Sequence, residues 1–152
     1  MPRRKRLKSV ANGVLSSFVS RNNDLLGYWA LGKLYAAALS HSTDTVEFDL
    51  LSAQLTPNDA QFVRMIDTYL ALFDKLLGKE NLPRSRVREA NIRVRFNAPV
   101  QPGYYPPQAV AKPFEATLDV TDHDGTSWSV SKLGWCFPHN PLMETKSSRI
   151  PR

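Results

Sequence analysis

A polar segment near the N-terminus holds the side chains best suited to bind a small molecule. Asn22, Asn23 and Asp24 stand together, immediately before an apolar stretch that contains Tyr28. Amide, carboxylate and phenol oxygens that converge in a partly apolar pocket can fix a small ligand. His123, which lies between two aspartates in "TDHDG", could add a general base, because a carboxylate orients and charges an imidazole.

The same residues also have simpler structural interpretations. Asparagine and aspartate are preferred helix N-caps, and the triplet directly precedes an apolar run of helical character. His123 lies in a segment typical of a hairpin turn, since aspartate and glycine tolerate the backbone angles of tight turns. We therefore keep this polar site as the alternative hypothesis, assign no catalytic residue, and favour a protein without enzymatic activity.

Metal and cofactor chemistry find little support in the sequence. Three histidines and the single cysteine, Cys136, do not have the spacing of a zinc site. No glycine-rich phosphate loop and no nucleophile elbow occurs, so we expect no metal and no cofactor. A single cysteine favours a reducing, cytoplasmic location, and the basic, serine-containing N-terminal segment leaves organelle targeting as the alternative.

Basic residues point to a function more strongly than the polar segment does. The net charge is +6, and five basic groups fall within the first eight residues. A second basic segment leads into a predicted strand, where Arg93 and Arg95 project to the same side about 6.6–6.8 Å apart. Arginine binds phosphate oxygens in a forked geometry, which makes nucleic acid a candidate partner. The predicted polyanion-binding residues are Arg3, Arg4, Lys5, Arg6, Lys8, Arg84, Arg86, Arg88, Arg93 and Arg95.

Two further features bear on this lead. An acidic segment, residues 44–74, offers the arginines partners within the chain, and an exposed sheet face needs charges for solubility alone. Tyr104 and Tyr105, in "PGYYPP", could stack on bases or dock a peptide. Tyrosines in such loops also close over the edge of a core.

The elements that position these residues follow from hydrophobic spacing. Apolar residues recur with helical period over residues 7–20, 25–39 and 57–77, where Thr56 is expected to cap the third helix and Pro57 to begin it. They alternate over residues 45–51, 89–98, 114–121 and 126–137, which predicts strands. The order predicts an α+β domain, with an antiparallel sheet of three to four strands packed against helices.

The last predicted strand contains a change of phase. Trp128 and Val130 share one parity, whereas Leu133 and Trp135 fall on the other. A slip of one residue turns apolar side chains to the opposite face of a sheet. We therefore predict a β-bulge near Ser131 and Lys132.

Composition bounds the whole molecule. A hydrophobic fraction of 42% with 22% charged residues is that of a globular protein, and no apolar run approaches the roughly 20 residues of a membrane span. We divide the chain into a basic tail (1–8), one domain (9–137) and a C-terminal tail (138–152). The second helix is apolar on every side and contains Gly27 and Gly32, which favours close packing against another copy. The sequence thus predicts a non-enzymatic binding or assembly protein that forms a homo-oligomer.

Overall fold

The computed structural model describes residues 3–22, 30–58, 60–96 and 112–136. These residues form three helices and five strands, with 3-10 turns at Ala60–Phe62 and Arg84–Arg86. In chain order the elements are α1 (Arg3–Asn22), α2 (Ala30–Ser40), β1 (Thr45–Asp49), β2 (Gln54–Thr56), α3 (Val63–Lys79), β3 (Val87–Phe96), β4 (Lys112–Asp122) and β5 (Ser127–Cys136). The predicted α+β class is confirmed.

All five strands form one antiparallel sheet in the order β2-β1-β3-β4-β5. Phe48, Ile92, Leu118 and Val130 lie side by side across four strands, on what we call the apolar face. Alternate residues project to the opposite, polar face because the side-chain period of a strand is two. The polar face carries Glu47, Asp49, Glu89, Asn91, Arg93, Arg95, Glu115, Thr117, Asp119, Thr121, Ser127, Ser129 and Ser131.

The apolar face is covered by α1 and α3. Phe18 of α1 lies in the middle of this core, with its ring centroid 5.8 Å from that of Phe48 and 5.0 Å from that of Tyr69. A Cβ atom on Gly13 would come within 2.9 Å of the Leu76 side chain, so the glycine lets α1 approach α3 closely. The apolar side of α1 is fully buried and comprises Leu7, Val10, Ala11, Val14, Leu15, Phe18 and Val19.

Two sequence predictions about strands need correction. The sheet has a fifth strand, β2, which is only three residues long and contains a single buried residue, Leu55; a segment so short shows no alternation to detect. The predicted bulge near Ser131 and Lys132 is wrong, because β4 and β5 pair without interruption from Lys112–Cys136 to Thr121–Ser127. The register shift lies instead between Val87 and Glu89 in β3.

The ends of two helices also differ from prediction. The first helix begins at Arg3, so helical structure extends into the predicted basic tail. The third helix begins at Val63, not at Pro57, because Thr56 belongs to β2 and pairs with Glu47. It ends at Lys79, where Asn81 adopts a left-handed conformation (φ 54°) and Leu82 N–H donates to the Leu77 carbonyl at 2.9 Å.

Candidate functional site

Three of the predicted polyanion-binding arginines lie beside carboxylates. Arg93 Nη1 is 3.5 Å from Asp119, and Arg95 Nη2 is 3.6 Å from Glu115, both across the β3–β4 pair. Arg84 Nη1 lies 3.1 Å from Asp74 of α3. These side chains are about half exposed, so each pair contributes little to stability. The pairs nevertheless place a negative group where a phosphate would have to bind.

The polar face around Arg93 and Arg95 is net negative. These two arginines share it with five carboxylates, which are Glu47, Asp49, Glu89, Glu115 and Asp119. Glu47 stands directly opposite Arg93 on β1. A surface with this balance repels a polyanion at moderate salt, because the attraction depends on the summed charge.

The remaining basic candidates fall into three groups. Arg6 Nη1 donates to the Glu80 carbonyl at 2.9 Å, at the C-terminal end of α3 where a cation is favoured. Lys8, Arg86 and Arg88 are exposed and form no ion pair with a carboxylate in the described parts of the chain. Arg3, Arg4 and Lys5 form the first turn of α1, and their side chains lie outside the described residues.

The alternative polar site divides between two ends of the sheet. His123 is exposed in the β4–β5 turn, and its backbone N–H donates to the Arg86 carbonyl at 3.2 Å. Helix α1 ends at Asn22, three residues after Val19. Val19 lies against Gly134, whose partner on β4 is Phe114. From Phe114 to His123 a strand of nine residues spans about 30 Å. The structure therefore does not bring Asn22 and His123 together.

Several candidate residues lie outside the described residues. They are Asn23, Asp24, Gly27, Tyr28, Tyr104 and Tyr105, and the surroundings of Gly32 are likewise not described. Of the second helix, the described part from Leu34 onward buries Leu34, Tyr35 and Ala38 but leaves Leu39 53% exposed. Within the described ranges, no group of three or more His, Cys, Asp and Glu side chains could hold a metal ion.

Among the described strands β5 lies at one edge of the sheet, and its backbone can be oriented from two hydrogen bonds. Asp122 N–H donates to Thr126 O at 3.0 Å, and Phe96 N–H donates to Asp44 O at 2.7 Å. Successive residues of an antiparallel strand direct their N–H and C=O groups to opposite sides. Thr126 faces Asp122 of β4, so Trp128 and Val130, two and four residues later, also direct their backbone groups toward β4. Ser127, Ser129 and Ser131 direct theirs away from the sheet, and no described strand lies on that side.

The side chains of these three serines form a ladder along the polar face. The hydroxyl of Ser127 pairs with that of Thr121 at 2.9 Å, and the hydroxyl of Ser131 pairs with that of Thr117 at 2.9 Å. Ser129 donates to Asp119 between them. The ladder fixes β5 against β4 and leaves the outward backbone groups of the serines for another partner.

An open cleft of about 420 Å³ lies between α1 and β5 and is lined by Lys8, Ser9, Asn12 and Val130. Lys132 shares the apolar face of the sheet with Val130 and is half-buried. Sequence reasoning did not identify this surface, because α1 and β5 are separated by more than a hundred residues. The available signal was that neither segment contains an aspartate or glutamate.

No helix in the described parts of the chain has both the length and the apolar character needed to cross a bilayer. No protein-family model matches the sequence, and neither the curated proteins nor the solved structures contain a match. The function must therefore be inferred from the surfaces of the chain itself.

Proposed function

We propose that this is a non-enzymatic binding protein that self-associates through the edge of strand β5. The observation that supports the proposal is the outward backbone of Ser127, Ser129 and Ser131, which offers three N–H and three C=O groups in a row. A row of this kind is a template for pairing with another strand. A ten-residue strand without bulge or proline lacks most of the devices that block such pairing.

The other edge of the sheet is much less suited to pairing. Strand β2 has only three residues, Gln54–Thr56, and Pro57 follows directly. Short edge strands and proline are two of the ways by which proteins prevent edge-to-edge association. Self-association through the sheet therefore favours β5.

Strand β5 can pair with the same strand of a second copy about a two-fold axis at Ser129. In antiparallel pairing about this residue, Ser129 faces Ser129 of the other copy, and Ser127 faces Ser131. All six of these residues direct their backbone groups outward, so the pairing forms up to six hydrogen bonds. Trp128 then stands beside Val130 of the other copy, and both side chains are half-buried in the single chain. Pairing extends the apolar face across the axis.

The test is the oligomeric state of two variants at one position. Ser129→Pro removes an outward N–H and places a ring against the incoming strand, while the β4–β5 hydrogen bonds of Trp128 and Val130 remain. Ser129→Ala is the matched control, because it also loses the hydroxyl bond to Asp119 but keeps the N–H. Sedimentation equilibrium should show dimers for the wild type and for Ser129→Ala, and monomers for Ser129→Pro.

Two results would contradict the proposal. A wild-type protein that stays monomeric at high concentration has no self-association to explain. Equal dimerisation of Ser129→Pro and Ser129→Ala would place the interface elsewhere on the molecule. Far-ultraviolet circular dichroism of both variants verifies that the sheet is retained.

A further inference from the structure

We infer that the side of the molecule formed by α1 and β5 binds nucleic acid, with the cleft between the two elements as the central contact. The inference does not depend on self-association, because one copy carries the complete surface. It also moves the predicted polyanion site away from the arginines of β3.

The charge of the two elements that meet there favours a polyanion as the partner. Helix α1 packs along β5, from Lys8 and Asn12 near Val130 to Val19 against Gly134. Neither element contains an acidic residue. Lys8 of α1 lines the cleft, and Lys132 of β5 lies on the same face of the sheet as Val130, which also lines it. The fold thus brings two lysines that are distant in sequence to one side of the molecule.

The two lysines on this side of the molecule are not neutralised by carboxylates of the described residues. Lys8 and Lys132 form no ion pair with any described carboxylate, and Lys8 is exposed. This contrasts with Arg84, Arg93 and Arg95, which each have an acidic neighbour. Unpaired lysines that contact phosphates displace the cations condensed on the nucleic acid, which is the main source of non-specific affinity.

The cleft also holds uncharged side chains that can form hydrogen bonds. Ser9 and Asn12 add a hydroxyl and an amide next to Lys8. Such side chains supply many of the hydrogen bonds that proteins make to phosphate and sugar oxygens. Val130 forms an apolar floor between them. The cleft therefore combines charge with hydrogen-bonding groups suited to a sugar–phosphate chain.

An anionic membrane is a less suitable partner for this surface. A helix that lies on a bilayer inserts an apolar face between the lipids. The apolar residues of α1 are already buried, with Leu7 at 1% exposure and Phe18 at 0%. Among the described residues Leu39 of α2 is the exposed large hydrophobic side chain, and it lies outside α1 and β5.

The test compares two double charge reversals of the full chain by fluorescence anisotropy. The probe is a labelled oligonucleotide, used as single strand and as duplex, between about 50 and about 200 mM salt. Lys8→Glu with Lys132→Glu should weaken binding by about tenfold or more at the lower salt concentration and reduce the salt slope by about two. Arg64→Glu with Lys75→Glu, at exposed positions of α3, changes the net charge equally and should bind like the wild type.

Four results would overturn the inference. The first is a wild type that binds neither form of the oligonucleotide at low salt. The second is an equal loss of binding in both double variants, which would indicate an effect of net charge alone. The third is unchanged binding by the Lys8→Glu, Lys132→Glu protein. The fourth is a wild type that binds phosphatidylserine vesicles in preference to the oligonucleotide. If circular dichroism shows that the glutamate variant is unfolded, Lys8→Gln with Lys132→Gln gives the same comparison, with the same expected direction.

Discussion

The Asp122 carboxylate holds the turn between β4 and β5. Its Oδ1 accepts hydrogen bonds from Asp124 N–H at 2.9 Å and from Thr126 N–H at 3.0 Å, and the residue is 5% exposed. Gly125 completes the turn with φ 85°, a conformation that glycine adopts without strain. Asp122 of "TDHDG" thus has a structural role in this turn.

Replacing Asp122 by alanine should destabilise the protein by about 1 to 3 kcal/mol, since it removes the acceptor of two backbone donors at a buried position. Asp122→Asn is the matched control, because its amide oxygen can accept both bonds, and it should cost less than about 1 kcal/mol. Urea denaturation followed by circular dichroism measures both free energies of unfolding. Equal losses for alanine and asparagine would show that the charge, and not the two hydrogen bonds, stabilises the turn.

At the scale of elements, two glycines differ in the space around them for an added Cβ atom. A Cβ on Gly134 of β5 would lie 2.7 Å from Phe114 Cζ and 3.0 Å from Val19 Cγ1, and Phe114 is completely buried. Gly134 therefore sets the distance at which α1 packs on β4 and β5. Gly78, within α3, has nothing within 4 Å of an added Cβ.

These environments predict opposite effects of the same substitution. Gly134→Ala should destabilise the protein by about 1 to 3 kcal/mol, because the neighbouring side chains have no room to move. Gly78→Ala should stabilise it by about 0.5 to 1 kcal/mol, because alanine loses less conformational entropy in a helix. Thermal and urea unfolding should give changes of opposite sign. A neutral Gly134→Ala would mean that α1 is not packed tightly on β5.

Elements with strong periodicity could be predicted from the sequence, and elements defined by pairing could not. The alternation of Ile92, Val94 and Phe96 identified β3, because one face of that strand is buried and the other is exposed. Leu133 and Trp135 were misleading, since apolar residues on the polar face of an edge strand imitate a bulge. Thr56 and Pro57 have a helix-start pattern, but pairing of Leu55 with Phe48 keeps this segment in the sheet.

The candidate site shows the same limit more clearly. The basic character of Lys8 and of Arg93 could be read from the sequence. Their neighbours could not, because Asp119 stands next to Arg93 only through the β3–β4 register. The cleft between α1 and β5 likewise exists only after the chain has folded. Charge could be predicted locally, whereas its neutralisation depends on contacts distant in sequence.

At the scale of the whole molecule, the two proposed interactions use the same side and must influence each other. Pairing of two copies about Ser129 would bring two α1–β5 sides together, each with Lys8 and Lys132 and with no acidic residue in α1 or β5. The like charges oppose this pairing, and salt weakens that repulsion because the Debye length falls from about 10 Å at 0.1 M to about 3 Å at 1 M. A nucleic acid that contacts both copies would oppose the repulsion more directly, by placing phosphates between them.

We therefore expect dimerisation to increase with salt in the absence of nucleic acid. At low salt, we expect dimerisation to increase when an oligonucleotide long enough to contact both copies is added. Because coupling between two equilibria is reciprocal, the dimer should then also bind that oligonucleotide more tightly than the monomer does. Sedimentation velocity at both salt concentrations, with and without the oligonucleotide, measures the coupling. Ser129→Pro is the control and should remain monomeric at both salt concentrations in the absence of the oligonucleotide. A dimer that dissociates as salt rises would contradict the scheme, because its copies would be held by ion pairs and not by strand pairing between two basic surfaces.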